Sequence, residues 1–185
     1  MIVVQPHPMI LMKVGFHGAE DLENILCRKL QEIRNCGVCY WGYGGTLCHP
    51  TKAVQPFVSS LGAQEREIDV FFAVTTSPYR SSALDASSFS ADGISWSPLP
   101  PHVRVSASRY ALVLKSICVF ESTLDLAQYE VAIGPSMGKN LAAYFRGRVD
   151  KAIARPSKQE GSTPQLVPVA LRASLVAPYA TLVRP

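Results

Sequence analysis

Within the first forty residues, a continuous apolar run is followed by apolar residues at helical spacing. Residues 9–16 form a short apolar run, which is typical of a buried strand. Apolar positions then recur every three or four residues, and this spacing predicts an amphipathic helix. Acidic residues open the helix and basic residues close it, as the helix dipole favours. The stripe consists of Leu22, Ile25, Leu26, Lys29, Leu30 and Ile33, and Asn35-Cys36-Gly37 ends the helix.

The pattern that follows indicates mostly strands. Short apolar or aromatic runs predict strands at 37–43, 68–75, 103–107, 110–120 and 129–133. A short helix is expected from Thr51, which would be its N-cap, and Pro56 is expected to limit its length. Residues 77–101 are rich in Ser, Pro, Asp and Gly, so we expect an irregular surface excursion there.

A second amphipathic helix is predicted from Ser136 onward, where helical spacing returns. Its apolar face would hold Met137, Leu141, Tyr144, Phe145, Val149 and Ile153. A basic group would lie largely on the other face, made of Lys139, Arg146, Arg148, Lys151, Arg155 and Lys158. The group is either a solvated helix face or a surface that contacts phosphates of nucleic acid or of a dinucleotide.

The order of these elements predicts the fold class. Strands cluster without the regular crossover helices of a parallel sheet, so we expect an α+β fold. The expected sheet is mixed or mostly antiparallel, with about six strands and two main helices. Residues 1–155 are expected to form a single domain. Residues 156–185 are punctuated by Pro, Ser and Gly, and we expect a Pro-rich, loosely ordered C-terminal tail there, to which Val167–Leu171 and Leu182-Val183 could add short edge strands.

Composition narrows the class of protein. The chain has 185 residues, of which 48% are hydrophobic and 17% charged, and these fractions are typical of a globular protein. No apolar run approaches the roughly 20 residues that cross a bilayer, so no membrane partner is expected. Residues 1–9 lack a basic segment and contain two prolines, so we expect no signal peptide and a cytoplasmic location.

The five cysteines are odd in number and lie mostly in apolar segments, as reduced, buried thiols do. Cys36 and Cys39, followed by Cys48 and His49, also allow a structural zinc site. Because there is no second Cys-x-x-Cys pair, we favour core thiols and expect no metal.

Three segments could form a site that carries chemistry. His17-Gly18 follows the first predicted strand, residues 41–46 follow the second, and Glu130 falls near the start of a late strand. Ends of strands are places where a rigid scaffold presents functional groups.

In order and spacing, these segments resemble the ADP-ribosyltransferase fold, and especially its poly(ADP-ribose)-polymerase-like branch. That branch has a strand ending in His-Gly-Ser/Thr and then a helix with Asn and Ile-Leu; here residues 14–19 read VGFHGA and residues 24–26 read NIL. It also has an aromatic-Gly-x-Gly-x-Tyr-Phe segment, then Ser-Lys-Ser, and a Glu on a late strand. Residues 41–47 read WGYGGTL, residues 51–53 read TKA, and Glu130 lies in QYEVA. Ala19, Thr46 and Ala53 depart from the branch's usual residues.

The resemblance implies NAD as substrate and a protein or nucleic-acid acceptor. His17 and Gly18 would hold the nicotinamide riboside. The main chain would approach the dinucleotide at a turn made of Gly42, Tyr43, Gly44, Gly45 and Thr46. Glu130 would bond a ribose hydroxyl and stabilise the oxocarbenium-like transition state as nicotinamide leaves, together with His17 as the second catalytic residue.

Two other functions remain open from the sequence. A non-enzymatic partner-binding or inhibitor protein would use the 77–101 loop or the basic helix. A nucleic-acid-binding module would use Arg146, Arg148, Lys151 and Arg155 with Tyr144. The site residues also have structural interpretations: Glu130 could pair with Arg109 or Arg146, and the glycines could only permit a turn.

Overall fold

The computed structural model describes residues 4–14, 20–43, 50–62, 68–74, 85–106, 108–146, 149–158 and 163–185. These residues form an α+β fold with nine strands, more than the six or so expected, and three α-helices. The elements are β1 (Met9–Val14), α1 (Leu22–Cys36), β2 (Cys39–Gly42), α2 (Pro50–Gly62), β3 (Asp69–Val74), β4 (Ser88–Ser90), β5 (Ser97–Pro98), β6 (Tyr110–Asp125), β7 (Tyr129–Val131), α3 (Leu141–Phe145), β8 (Lys151–Pro156) and β9 (Leu166–Arg184). Across these ranges, no helix is long and apolar enough to cross a membrane.

The chain divides into two compact units. The first unit contains Met1–Gly15, Ile68–Thr76 and Cys118–Ala173. The second contains Phe16–Glu67, Ser77–Ile117 and Ser174–Pro185. Because the unit boundaries fall within β6 and β9, each of these long strands contributes residues to both units.

The first unit is built on a mixed sheet in the order β9-β3-β1-β8-β7. β1 pairs with β3 in parallel and with β8 in antiparallel orientation, and β8 pairs antiparallel with β7. The buried face carries a large apolar core against which α3 packs. This core includes Met9, Leu11, Phe71, Leu124, Tyr129, Val131, Leu141, Phe145 and Val169.

The second unit contains antiparallel pairs, β2 with β6 and β4 with β5 and β9. Its core combines β2, β6 and β9 side chains with Val105, which precedes β6. The helix α2 is joined to β9 because the Gln55 side-chain amide donates to the carbonyls of Pro178 and Ala180, at 3.2 and 2.7 Å.

The helix α1 confirms the prediction from the hydrophobic stripe, and its ends explain its bounds. The Asp21 carboxylate caps the first turn by accepting from the main-chain N–H of Asn24 at 2.8 Å. Gly37 ends the helix with φ 77, and its N–H donates to the carbonyl of Ile33. The left-handed backbone conformation at this position favours glycine, because glycine lacks Cβ.

Leu166–Arg184, which the sequence analysis placed in a loosely ordered tail, is instead the longest strand of the described residues, β9. It lies between β6 and β3. The cause is visible in its side chains, since Val169, Leu171 and Ala173 are buried at every second position, the period of a strand. The prolines of this segment hid that alternation.

The long helix predicted from Ser136 is wrong. In the described part of this segment, residues 135–138 form a turn, only Leu141–Phe145 is α-helical, and Ile153 lies in β8. Gly138 has φ 82 and donates to the carbonyl of Val131, so the chain reverses before α3 begins. Pairing of β8 with β1 and β7 then outweighs the helical spacing of residues 149–153.

Three smaller expectations also differ. The helix α2 starts at Pro50, so Thr51 lies inside it, and it continues through the exposed Pro56 to Gly62. The strand predicted at 103–107 is reduced, within its described residues, to one isolated bridge between Ser106 and Asp85. The expected irregular segment contains the short strands β4 and β5.

A truncation tests whether residues 166–185 are a tail or a structural strand. Deleting them removes buried side chains of β9 from both units, so we expect loss of cooperative unfolding and of dispersed amide NMR signals. Removal of Pro185 alone, which follows β9, is the control and should leave the melting curve unchanged. A stable, folded truncated chain would contradict the assignment.

Candidate functional site

Glu130, the predicted catalytic carboxylate, lies on β7 directly opposite Arg155 of β8. Its side chain is 17% exposed, and the Arg155 Nε atom donates to Glu130 Oε1 at 2.7 Å. The observed partner is therefore Arg155, and not Arg109 or Arg146. An opposite-charge pair across two antiparallel strands fixes the direction of the carboxylate.

Gly42 and Tyr43, predicted to contact NAD, lie at the end of β2 in the second unit. A Cβ on Gly42 would lie 2.6 Å from Ser108 Oγ, so a side chain at this position would have to displace the Ser108 hydroxyl. Tyr43 is buried, and its N–H donates to the carbonyl of Tyr110 at 2.8 Å. The packing of Gly42 thus accounts for one glycine of the predicted turn without a ligand.

His17, Gly18, Gly44, Gly45 and Thr46 lie outside the described residues, as do Cys48 and His49. The strands that precede them are described. β1 ends at Val14 and β2 ends at Gly42, so both predicted segments follow a strand end in the sequence.

The basic group does not occupy one helix face. Arg155 and Lys151 lie on β8, where they pair with Glu130 and Asp150, and Arg146 follows α3 and donates to Gln165. Lys139 lies in the turn before α3, and Arg148 is outside the described residues. The helix that supported the nucleic-acid interpretation is therefore absent from the described part of this region.

The cysteines differ in exposure. Cys39 is buried, and burial raises the pKa of its thiol to about 12. Cys36 is half-buried, whereas Cys27 and Cys118 are exposed, so the expectation of mostly buried thiols holds only for Cys39 among the described ones. Within the same residues no group of His, Cys, Asp and Glu side chains is arranged to hold a metal ion.

A buried carboxylate between a guanidinium and an imidazole lies in the first unit, and it was not predicted from the sequence. Asp69, at the start of β3, has a side chain that is 3% exposed. The Arg172 guanidinium of β9 donates to both of its oxygens, at 2.8 and 2.7 Å. The His7 Nε2 atom lies 3.0 Å from Asp69 Oδ2. We call these three residues the Asp69 cluster.

Aromatic rings support the Asp69 cluster. The His7 ring meets Phe71 edge to face, with centroids 5.9 Å apart, and the Arg172 guanidinium lies 5.6 Å from the centre of the Phe120 ring. Local sequence carries little signal for this cluster, because the three residues come from segments far apart in the chain. The outward position of Arg172 between Leu171 and Ala173 is the one local indication.

A second polar network, the Glu32 network, lies in the second unit and joins α1 to residues 85–106. The Lys29 ammonium donates to both Glu32 oxygens, at 2.9 and 2.8 Å, and to the Arg104 carbonyl at 2.7 Å. The Arg104 N–H donates to Glu32 at 3.1 Å. Arg28 binds Glu20 with two nitrogens, and Asp85 accepts from Arg104 and Ser106.

The Glu32 network is structural in its geometry. Lys29 and Glu32 are almost fully buried, and each polar contact of the pair is made to another group of the same network. Burial lowers the pKa of Lys29, and the Glu32 carboxylate opposes that shift. The network therefore fastens the segment around Arg104 to α1.

Comparison of the chain with family models, with curated proteins and with solved structures finds no match.

Replacing Lys29 by Met tests the structural role of the Glu32 network. We expect a loss of about 3–5 kcal/mol in the free energy of unfolding, because one partner of a buried ion pair is removed. Urea denaturation measures this loss. The exposed Lys52 of α2 supplies the control, since Lys52→Met should change stability by no more than about 0.5 kcal/mol. Equal effects of the two substitutions would contradict the network.

Replacing Gly42 by Ala tests whether packing against Ser108 requires glycine. Forcing Cβ against Ser108 Oγ should cost about 1–3 kcal/mol of stability, as overpacking does. The same substitution in a Ser108→Ala background should cost less, because the hydroxyl is gone. If the two backgrounds lose equal stability in thermal denaturation, close packing against this hydroxyl is not the reason for the glycine.

Proposed function

We propose that the chain is an NAD-dependent ADP-ribosyltransferase-like domain that modifies a protein or a nucleic acid. Three segments support this proposal through their order along the chain: His17-Gly18, the glycine-rich stretch 42–46 and Glu130. Two of them follow the ends of β1 and β2, and the third lies on β7. An α+β fold with a mixed sheet is compatible with the proposal.

The observation that carries the proposal is the fixed carboxylate of Glu130. Transfer of ADP-ribose breaks the bond between ribose and nicotinamide, and positive charge develops on the ribose. A carboxylate that is already oriented stabilises such charge without reorganising during the reaction. Arg155 provides the orientation, since its contact at 2.7 Å holds the carboxylate on a rigid pair of strands.

The roles of the remaining residues follow from the same proposal. His17 and Gly18 hold the nicotinamide riboside, and residues 42–46 let the main chain approach the dinucleotide. The partner-binding function is the alternative, and the nucleic-acid-binding function loses the helix face on which it was based.

The test combines calorimetric titration of NAD with an assay of nicotinamide release. We expect micromolar binding that is lost in His17→Ala. In Glu130→Gln, NAD should still bind while nicotinamide release falls about 10²–10³-fold, the usual effect of removing a group that stabilises transition-state charge. Release of nicotinamide to water does not require the acceptor to be known.

Glu121→Gln provides the matched control, because Glu121 is an exposed carboxylate on β6 outside the proposed site. Its nicotinamide release should equal that of the unmodified chain. Absence of NAD binding at millimolar concentration would remove the enzymatic proposal and favour partner binding. Full activity of Glu130→Gln would remove Glu130 from the mechanism.

A further inference from the structure

The segment Val4–Pro8 runs along the first unit before β1 begins, and we call it the strap. It has no regular secondary structure. The Val4 N–H donates to the carbonyl of Thr123 at 3.3 Å, and the Val4 side chain packs on the first unit's core. Among the strap side chains, His7 makes the described polar contact with the unit, a hydrogen bond to Asp69.

Both nitrogens of the His7 ring face acceptors. Nδ1 lies 2.8 Å from the carbonyl oxygen of Gln5, and Nε2 lies 3.0 Å from a carboxylate oxygen of Asp69. Neither acceptor has a proton to give, because a carbonyl and an ionised carboxylate only accept. Both hydrogen bonds form together only when both ring nitrogens carry protons, so this arrangement requires the imidazolium.

The charged and titratable groups around His7 come from three strands. Asp69 of β3 is the anion, Arg172 of β9 is a second cation on the same carboxylate, and Tyr129 of β7 has its hydroxyl close to the His7 main chain. Within the described residues the buried Tyr129 hydroxyl has no hydrogen-bonding partner. Burial raises the pKa of Tyr129 to about 12, so this group stays neutral over the working pH range.

The electrostatics favour a charged His7. The hydrogen bond that His7 donates to Asp69 raises the pKa of His7 above its ordinary value, although burial and Arg172 oppose the shift. Burial by itself would raise the pKa of Asp69, but the bonds from His7 and Arg172 hold it below its usual value. Asp69 is therefore ionised whenever His7 titrates.

We propose that His7 is a proton-operated latch that fastens the strap to the Asp69 cluster. The protonated ring fastens the strap through its bond to Asp69, while its bond to the Gln5 carbonyl lies within the strap and holds the ring in place. When His7 loses a proton, the ring loses its charge attraction to Asp69, and one ring nitrogen presents a lone pair to an oxygen that also carries lone pairs, so one of the two bonds is lost. The strap then opens and uncovers the neighbourhood of the Tyr129 hydroxyl.

The pH dependence of strap opening follows from its linkage to proton binding by His7. The pKa of His7 is higher in the closed strap than in the open one, where we take it as about 6.5. The latch is fully present below about pH 6.5 and is lost as pH rises through the raised pKa of the closed strap. Between those two values the opening equilibrium constant rises about tenfold per pH unit, and above the higher value it becomes constant.

Two NMR measurements on the full chain test the latch. In the first, a pH titration of the His7 ring nitrogens should show both nitrogens protonated at pH 6 and a pKa above the ordinary value of about 6.5. In the second, hydrogen exchange of the Val4 amide, divided by the intrinsic exchange rate, should rise with pH in the stated window. The Ala132 amide, bonded to the Ile153 carbonyl, should not change.

His7→Gln removes the titrating group and keeps a side chain that can donate one hydrogen bond. Exchange of the Val4 amide in this variant should be faster at pH 6 than in the unmodified chain and independent of pH after the correction. His102→Gln is the matched control and should keep the pH dependence. A His7 pKa at or below about 6.5, or pH-dependent opening that persists in His7→Gln, would overturn the proposal.

Discussion

Backbone hydrogen bonding to β9 is the constraint on which most of this structure depends. Strand N–H and C=O groups that are removed from water must find partners within the protein. β9 lies between β6 and β3, and its last residues also pair with β4. Its side chains enter both apolar cores, Val169 in the first unit and Val183 in the second. Each core is therefore completed by a different stretch of one strand.

The sequence was informative where the signal is local. Six to fifteen consecutive residues are enough to identify the apolar runs of β1 and β3 and the hydrophobic stripe of α1. The signal failed where distant pairing decides the outcome. Residues 149–153 have helical spacing but become part of β8 because β1 and β7 supply strand partners. In β9, the prolines suggested a tail, although buried residues alternate from Val169 to Ala173.

In the candidate site too, local features could be predicted from the sequence and long-range contacts could not. Sequence placed Glu130 on a late strand correctly, but its partner Arg155 could be recognised only once β7 and β8 were paired in register. The Asp69 cluster could not be predicted from the sequence, because an aspartate at the start of an apolar run is typical of a solvent-exposed strand end. Its burial follows from the bidentate contact with Arg172, which lies more than one hundred residues later in the chain.

The parallel pairing of β1 with β3 has a consequence for synthesis on the ribosome. The elements α1, β2 and α2 separate these two strands in the chain, and all three belong to the second unit. Each unit is thus assembled from three separated stretches, and β9 is translated after every other element described. Neither unit can fold independently as it emerges, in contrast to the usual sequential folding of domains from the N-terminus. The nascent chain therefore cannot complete either apolar core until β9 has been made.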